Sequence, residues 1–114
     1  MRYAVLIYEK PGAYDAFSAD ERRAVSAEYL ELAGDARVVG GAQLQGLETA
    51  TTVRVDDGRS LITDGPFADT KEVFGGWFLF ESDDVDAALE VAGRIPAVRL
   101  GGSVEVRPIM EQPS

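Results

Sequence analysis

The sequence contains neither cysteine nor histidine among its 114 residues. The absence of cysteine excludes disulfides, thiolate nucleophiles and cysteine metal sites. The absence of histidine removes the commonest general base and the commonest ligand of transition metals. Any chemistry must therefore be carried by carboxylates, lysine, arginine, tyrosine or backbone groups. We assign no cofactor and no metal ligand, although oxygen ligands for Mg²⁺ or Ca²⁺ stay open in principle.

Positive charge is also scarce, because the chain has 11 lysines and arginines but 20 aspartates and glutamates, which gives a net charge of −9. Such a surface repels phosphate backbones and anionic membranes, so we expect neither nucleic acid nor a membrane as a direct partner. Residues 1–8 enter an apolar run without a basic leader or a small-residue cleavage site, which predicts a cytoplasmic protein. The length predicts one domain over residues 1–114.

Hydrophobic periodicity and turn residues predict six strands and two helices. Ser18 and Glu21 form a capping box that opens the first helix, and Asp83 and Asp84 precede the second, whose apolar stripe we assign to Val85, Ala88, Leu89 and Ala92. The predicted strands cover residues 3–8, 38–44, 51–55, 59–63, 74–81 and 103–109, with a bulge expected at Gly40-Gly41.

The third and fourth predicted strands flank Asp56-Asp57-Gly58, which is typical of a hairpin turn. Without this inserted β-hairpin the order is strand–helix–strand–strand–helix–strand. That order predicts an α+β, ferredoxin-like split βαβ fold, with an antiparallel sheet and two helices on one face.

Two of the predicted strands are apolar on both faces. Alternation places Phe74, Phe78 and Phe80 on one side of their strand, and Trp77 and Leu79 on the other. Two helices can cover only one face, and burying each large side chain contributes about 1.5–3 kcal/mol. We therefore predict that the second face packs against another copy, giving a homodimer. Coverage by the hairpin alone is the alternative.

The segment Thr63–Glu72 presents charged groups from a loop that Gly65 and Pro66 shape. Asp64 either caps backbone N–H groups of the turn or acts as a base at the edge of a cleft. Lys71 is either a solvated side chain or a cation that binds a substrate carboxylate or a developing oxyanion. We take Asp64 and Lys71 as candidate catalytic residues, and the loop residue Phe67 as a candidate substrate contact.

The last predicted strand adds a second group of candidates. Glu105 and Arg107 alternate with valines, so both charges face the same side. Because the last strand of a split βαβ sheet often lies beside the first, we expect Arg107 near Tyr8. Tyr8, Glu105 and Arg107 would then form a small site for an anionic substrate at the rim of the sheet, with a solvent-facing pair as the alternative.

Several segments together resemble the YCII-related family, in its DGPF-motif branch. They are residues 3–8, 50–54, 63–72, 75–76, 95–96 and 104–108, with Asp64-Gly65-Pro66-Phe67 as the signature. The resemblance implies a dimeric α+β barrel of ferredoxin-like subunits. Some relatives of this kind use a histidine–aspartate pair, and one type eliminates chloride from a chlorinated hydroxyquinol. Without histidine, that pair cannot be carried over to this chain.

These observations predict a homodimer that binds an unknown small molecule and performs cofactor-independent acid–base chemistry, either proton transfer or elimination, on a small polar or anionic substrate. A different role is implied by the resemblance, since some DGPF-branch members are encoded beside extracytoplasmic-function sigma factors. The alternative is therefore a non-catalytic accessory or regulatory protein that binds a sigma factor. In a third hypothesis, the signature loop is purely structural.

Overall fold

The computed structural model describes residues 1–64 and 71–111 as an α+β fold. The strands are β1 (Arg2–Glu9), β2 (Val38–Gln43), β3 (Thr51–Asp56), β4 (Arg59–Asp64), β5 (Val73–Glu81) and β6 (Ser103–Pro108). The helices are α1 (Ala19–Ala33), α2 (Val85–Gly93) and the short α3 (Pro96–Arg99). The six strands and two longer helices confirm the prediction from sequence. Helix α3 was not predicted; it begins at Pro96, which suits the first position of a helix.

The strands form a four-stranded sheet in the order β2-β5-β1-β6 and a separate two-stranded sheet of β3 and β4. Every neighbouring pair is antiparallel. The order confirms the predicted ferredoxin-like arrangement, with the first strand beside the last and the hairpin inserted between β2 and β5.

Both longer helices begin where the sequence predicted. Ser18 Oγ accepts a hydrogen bond from the Glu21 backbone N–H, and Glu21 Oε1 accepts one from the Ser18 N–H, each at 3.1 Å. Asp84 Oδ1 accepts from the Ala87 N–H at 2.9 Å. Each cap satisfies backbone donors that have no partner within the first turn of a helix.

The core lies between the helices and one face of the four-stranded sheet. Among its members Val5, Phe80, Ala88 and Val91 have no exposed surface; the others are Tyr3, Ile7, Val25, Leu32, Ala92, Ile95 and Ala97. The predicted stripe of α2 was partly wrong, because Val85 and Leu89 are 41% and 51% exposed. Ala88, Val91 and Ala92 face the sheet instead, at the i, i+3, i+4 spacing of one helix face.

Two bulges alter the alternation of the sheet. Strand β2 does contain a bulge, but it lies just before the predicted Gly40-Gly41, at a register shift between Val38 and Gly40 that leaves Val39 as the extra residue. At Gly41, φ is +144° and an added Cβ would lie 2.3 Å from the Trp77 carbonyl oxygen, so only glycine fits without movement.

The second bulge is in β5, where Ile7 lies opposite Gly76 but Tyr8 lies opposite Phe74. The extra residue, Gly75, turns Phe74 to the side of Trp77. Our assignment of Phe74 to the face of Phe78 and Phe80 was therefore wrong, because simple alternation does not anticipate an extra residue.

Within residues 1–64 and 71–111, no helix has the length and apolar character needed to cross a bilayer.

Candidate functional site

The second face of the four-stranded sheet, which we call the open face, lies opposite the helices. Its members come from all four strands: Gly40 and Ala42 of β2; Phe74, Trp77 and Leu79 of β5; Ala4, Leu6 and Tyr8 of β1; and Ser103, Glu105 and Arg107 of β6. Phe74 and Trp77 are each 37% exposed, whereas Phe80 on the helix side is fully buried. The prediction that β5 is apolar on both faces is confirmed.

Three aromatic rings run along the open face where β5 begins. The Tyr8 and Phe74 ring centroids are 5.5 Å apart at 58°, and those of Phe74 and Trp77 are 6.4 Å apart with planes only 7° from parallel. These separations are those of interacting aromatic pairs. We call Tyr8, Phe74 and Trp77 the aromatic wall; it offers flat apolar surface and one phenol hydroxyl.

A carboxylate is held beside this wall. Ser103 lies directly opposite Tyr8 in the β1–β6 ladder, and its hydroxyl donates a 2.7 Å hydrogen bond to Glu72 Oε2. Ser103 and Glu72 are both half-buried. The bond ties the residue that precedes β5 to the start of β6, so Glu72 is positioned from two separate parts of the chain.

Sequence reasoning missed Glu72 and Ser103 as site residues. Glu72 was considered only as the end of the charged segment Thr63–Glu72, and the bond to Ser103 spans 31 residues. The signal that could have found it is topological. Once β6 is placed beside β1, the first residue of β6 must lie near the last residues of β1.

The other β6 candidates lie further along the open face. Glu105 is opposite Leu6 and Arg107 is opposite Ala4, and both side chains are exposed. The prediction that the two charges share a face is confirmed. The expected proximity of Arg107 to Tyr8 is wrong, since the four-residue offset in register separates them by about 13 Å along the strands. In an antiparallel pair, the end of β6 meets the beginning of β1.

The candidates of the signature loop are only partly described. Asp64 ends β4 opposite Thr51, but its side chain lies outside the described residues, as does the whole of Phe67. Lys71 is exposed and directly precedes Glu72. The catalytic roles of Asp64 and Lys71 and the substrate contact of Phe67 stay predictions.

A second polar cluster lies near the opposite side of the sheet, around Tyr14, Tyr29 and Glu9. The Tyr14 hydroxyl donates to Glu9 Oε1 at 3.2 Å. Burial, followed by the nearby Tyr29 and Glu9, raises the pKa of Tyr14 well above its usual value of 10. Burial, followed by the nearby Glu9, likewise raises the pKa of Tyr29. Phenols with raised pKa values stay protonated near neutrality, so neither tyrosine of this cluster supplies a base.

No three acidic side chains among residues 1–64 and 71–111 are grouped so that they could hold a metal ion. The chemistry that the described site can offer is that of a fixed carboxylate and a phenol beside a flat apolar surface.

Comparisons with known proteins agree with this architecture. A family model described as YCII-related domain matches residues 1–112. An uncharacterised protein of Rhizobium meliloti is 36% identical over 117 residues, which cover 96% of this chain and 92% of that protein.

A solved structure is similar over nearly the whole fold. It is 5-chloro-2-hydroxyhydroquinone dehydrochlorinase from Burkholderia phenoliruptrix, in complex with 2,5-dihydroxybenzoquinone. The TM-score is 0.56 at 17% sequence identity, and the match covers 98% of this chain and 96% of the other. At this identity the likeness establishes the fold alone.

Proposed function

The chain belongs to the YCII-related family, and we propose that it is a small-molecule-binding homodimer that catalyses cofactor-independent proton transfer or elimination. The substrate is a small polar or anionic molecule. The observation that carries this proposal is the fixed carboxylate of Glu72, bonded to Ser103 beside the aromatic wall.

The aromatic wall accounts for binding. A planar substrate ring placed against Tyr8, Phe74 and Trp77 loses water from one face, and the Tyr8 hydroxyl can pair with a substrate oxygen. The compound bound in the solved dehydrochlorinase is an oxygen-rich planar ring. The structural similarity between the two proteins supports such rings as the first compounds to test for binding to this chain.

The carboxylates account for the chemistry. A base beside the ring accepts a proton from carbon or oxygen, and in an elimination the electron pair released from that bond expels the leaving group. Glu72 and Asp64 are the two candidates for this base. Lys71 would stabilise the negative charge that develops on a substrate oxygen. Arg107 lies too far along the open face to share this task within one subunit.

The homodimer is supported by the composition of the open face. Leu6, Trp77 and Leu79 project from adjacent strands on the side away from the helices. Apolar surface of this extent is rarely left bare on a soluble monomer. A second copy laid on the same face would bury it and would exclude water from the site.

The binding part of the proposal is tested by fluorescence, because Trp77 is the single tryptophan of the chain. Titration with 2,5-dihydroxybenzoquinone should quench its emission in a saturable way. Phe74→Ala should weaken this binding at least tenfold. As a matched control, Phe17→Ala removes an aromatic ring that packs against Tyr14 instead, and should leave affinity unchanged.

The catalytic part is tested with 5-chloro-2-hydroxyhydroquinone and a panel of related hydroxylated rings, with chloride release and absorbance as readouts. Glu72→Gln should lower turnover about 100-fold or more, the usual contribution of a general base, and should spare binding. Glu81→Gln, an exposed glutamate at the far end of β5, is the control. Loss of turnover in Asp64→Asn, with none in Glu72→Gln, would make Asp64 the base. Absence of both binding and turnover across the panel would contradict the proposed function.

The accessory role with an extracytoplasmic-function sigma factor stays a prediction, as does cytoplasmic localisation. A sigma factor that co-purifies in equal amount from a native lysate, together with no turnover of any probe, would favour the accessory role.

A further inference from the structure

The β3–β4 hairpin, which we call the arm (Thr51–Asp64), carries an apolar row on one side. Cross-strand register places Val53 opposite Ile62 and Val55 opposite Ser60, so these residues share a face. Val53, Val55 and Ile62 are 63%, 70% and 70% exposed. The other side of the arm carries Arg54 opposite Leu61. We call the row of Val53, Val55 and Ile62 the arm face.

The arm forms a sheet by itself. It does not join the four-stranded sheet, and among the described elements each strand of the arm contacts extensively only the other. A two-stranded hairpin is marginally stable in water without a surface to pack against. The arm face therefore needs a covering surface that its own subunit does not provide.

The dimensions of the chain indicate that the subunit as a whole exposes more surface than a compact monomer does. The subunit exposes 8100 Å², whereas a compact monomer of this mass exposes about 6,100 Å². Its radius of gyration is 16.2 Å, against about 13 Å for a compact chain of this length. The subunit therefore exposes about 2,000 Å² more surface than a compact monomer would. This excess surface is larger than the roughly 800 Å² that each partner buries in a standard interface.

A second copy of the chain is the occupant that fits these observations. The subunit is flat, with extents of 48 × 45 × 19 Å, so two copies can stack broad face to broad face. The arm follows β2 in the chain and leads back toward β5, the two strands that carry Ala42 and Trp77 of the open face. A partner that covers the open face is therefore well placed to meet the arm as well.

We infer that the arm is a clasp: in the homodimer, the arm face of each subunit packs against the other copy. This inference shares the homodimer with the proposed function, but not the catalytic site. It assigns to the inserted hairpin the role of holding the two subunits together.

The first test is the dimer dissociation constant, measured by sedimentation on the full chain. The double variant Val53→Asp, Ile62→Asp should raise it at least 100-fold, with the far-ultraviolet circular dichroism of the four-stranded sheet and helices preserved. Leu61→Asp places the same charge on the opposite side of the arm and should change the constant less than threefold. An unchanged constant in the double variant would overturn the clasp.

The second test uses milder substitutions, in case the aspartates disturb folding. Because the chain has no cysteine, Ile62→Cys and Leu61→Cys each introduce a single thiol. Ile62→Cys should react with a maleimide slowly at concentrations where the dimer forms and quickly on dilution, whereas Leu61→Cys should react at one rate throughout. Equal rates for Ile62→Cys at both concentrations would overturn the clasp.

A substitution on the open face separates the proposed homodimer from the clasp. If Leu6→Asp dissociates the dimer and the arm variants do not, the homodimer stands and the clasp is wrong. If the wild-type chain is a monomer at micromolar concentration, both the homodimer and the clasp are wrong. If Ile62→Cys is protected only in a lysate and not in the pure protein, a different molecule covers the arm and the clasp is again wrong.

Discussion

The two faces of the four-stranded sheet are built from the same strands, yet they end in different surroundings. On the helix side Val5 and Phe80 have no exposed surface, and on the open side Phe74 and Trp77 are each 37% exposed. In β1 and β5 both faces are apolar by composition, so hydrophobicity does not distinguish them there. The helix side is covered within one chain, whereas the open side stays partly exposed and is the side on which we propose that a ligand and a partner bind.

The largest expected effect is a loss of stability on the helix side. Unlike a loss on the open face, it should not depend on protein concentration. Phe80→Ala removes a fully buried ring and should lower the free energy of unfolding by about 3–5 kcal/mol. Because that ring is buried within one chain, the loss should be the same at every protein concentration. Chemical denaturation over a 100-fold range of concentration measures it.

Trp77→Ala is the matched change on the open face. Its effect on unfolding should be small in dilute protein and should grow with concentration, because the indole ring is buried fully only when a second copy covers it. A large loss of stability that is independent of concentration would show that the open face is already covered within the chain, and the comparison of the two faces would fail.

A smaller effect is expected at the edge strand β2. Gly41→Ala would place a Cβ 2.3 Å from the Trp77 carbonyl oxygen, in a backbone conformation of positive φ. The strain and crowding should lower the free energy of unfolding by about 1–3 kcal/mol. Gly93→Ala, at the end of α2 and with open space around its Cβ, should be neutral. If both variants match the wild-type melting temperature, β2 is not packed as described.

The smallest effect concerns an ion pair at the rim of the helix side. Arg37 donates to both carboxylate oxygens of Asp35 and lies 5.1 Å from the Phe80 ring centroid. These hydrogen bonds, first from the side chain and then from the Arg37 backbone N–H, hold the pKa of Asp35 well below its usual 3.8.

A lowered pKa in the folded state stabilises the protein above pH 3.8, and this stabilisation is lost as the pH falls below that value. Asp35→Asn should therefore be slightly less stable than the wild type at pH 7, and the difference should shrink steadily as the pH falls below 3.8. Thermal melts from about pH 7 to about pH 2 measure this, with the exposed Glu31→Gln as control. A difference as large at the acid end as at pH 7 would mean that Asp35 acts through packing and not through its charge.

Local signals made much of the fold predictable. The capping residues Ser18 and Asp84 act within one turn of their own helices, so the sequence alone locates both helix starts. The turn at Asp57-Gly58 specifies the hairpin in the same way, because both residues adopt positive φ. The order of the elements then leaves few topologies, and the ferredoxin-like order is among them.

The candidate site was less predictable because it depends on register between distant strands. Which residue faces Tyr8 is decided by the pairing of β1 with β6, and this pairing selects Ser103 and not Arg107. Likewise, the rotation of α2 about its own axis decides which of its residues face the sheet. This rotation buries Val91 and leaves Leu89 exposed. No short window of sequence contains either fact.

The bulge at Gly75 interrupts the alternation of side chains along β5, so residues before it and after it do not follow one continuous pattern of faces. Residues after it alternate so that Trp77 and Leu79 face one way, and the single extra residue brings Phe74 to the same side. Inserting a further residue at this point would rotate Phe74 toward the helices and would carry Glu72 away from Ser103, whereas deleting Gly75 would restore regular pairing with Phe74 still on the open face. We therefore expect natural variants to tolerate the loss of this one residue far better than the gain of another.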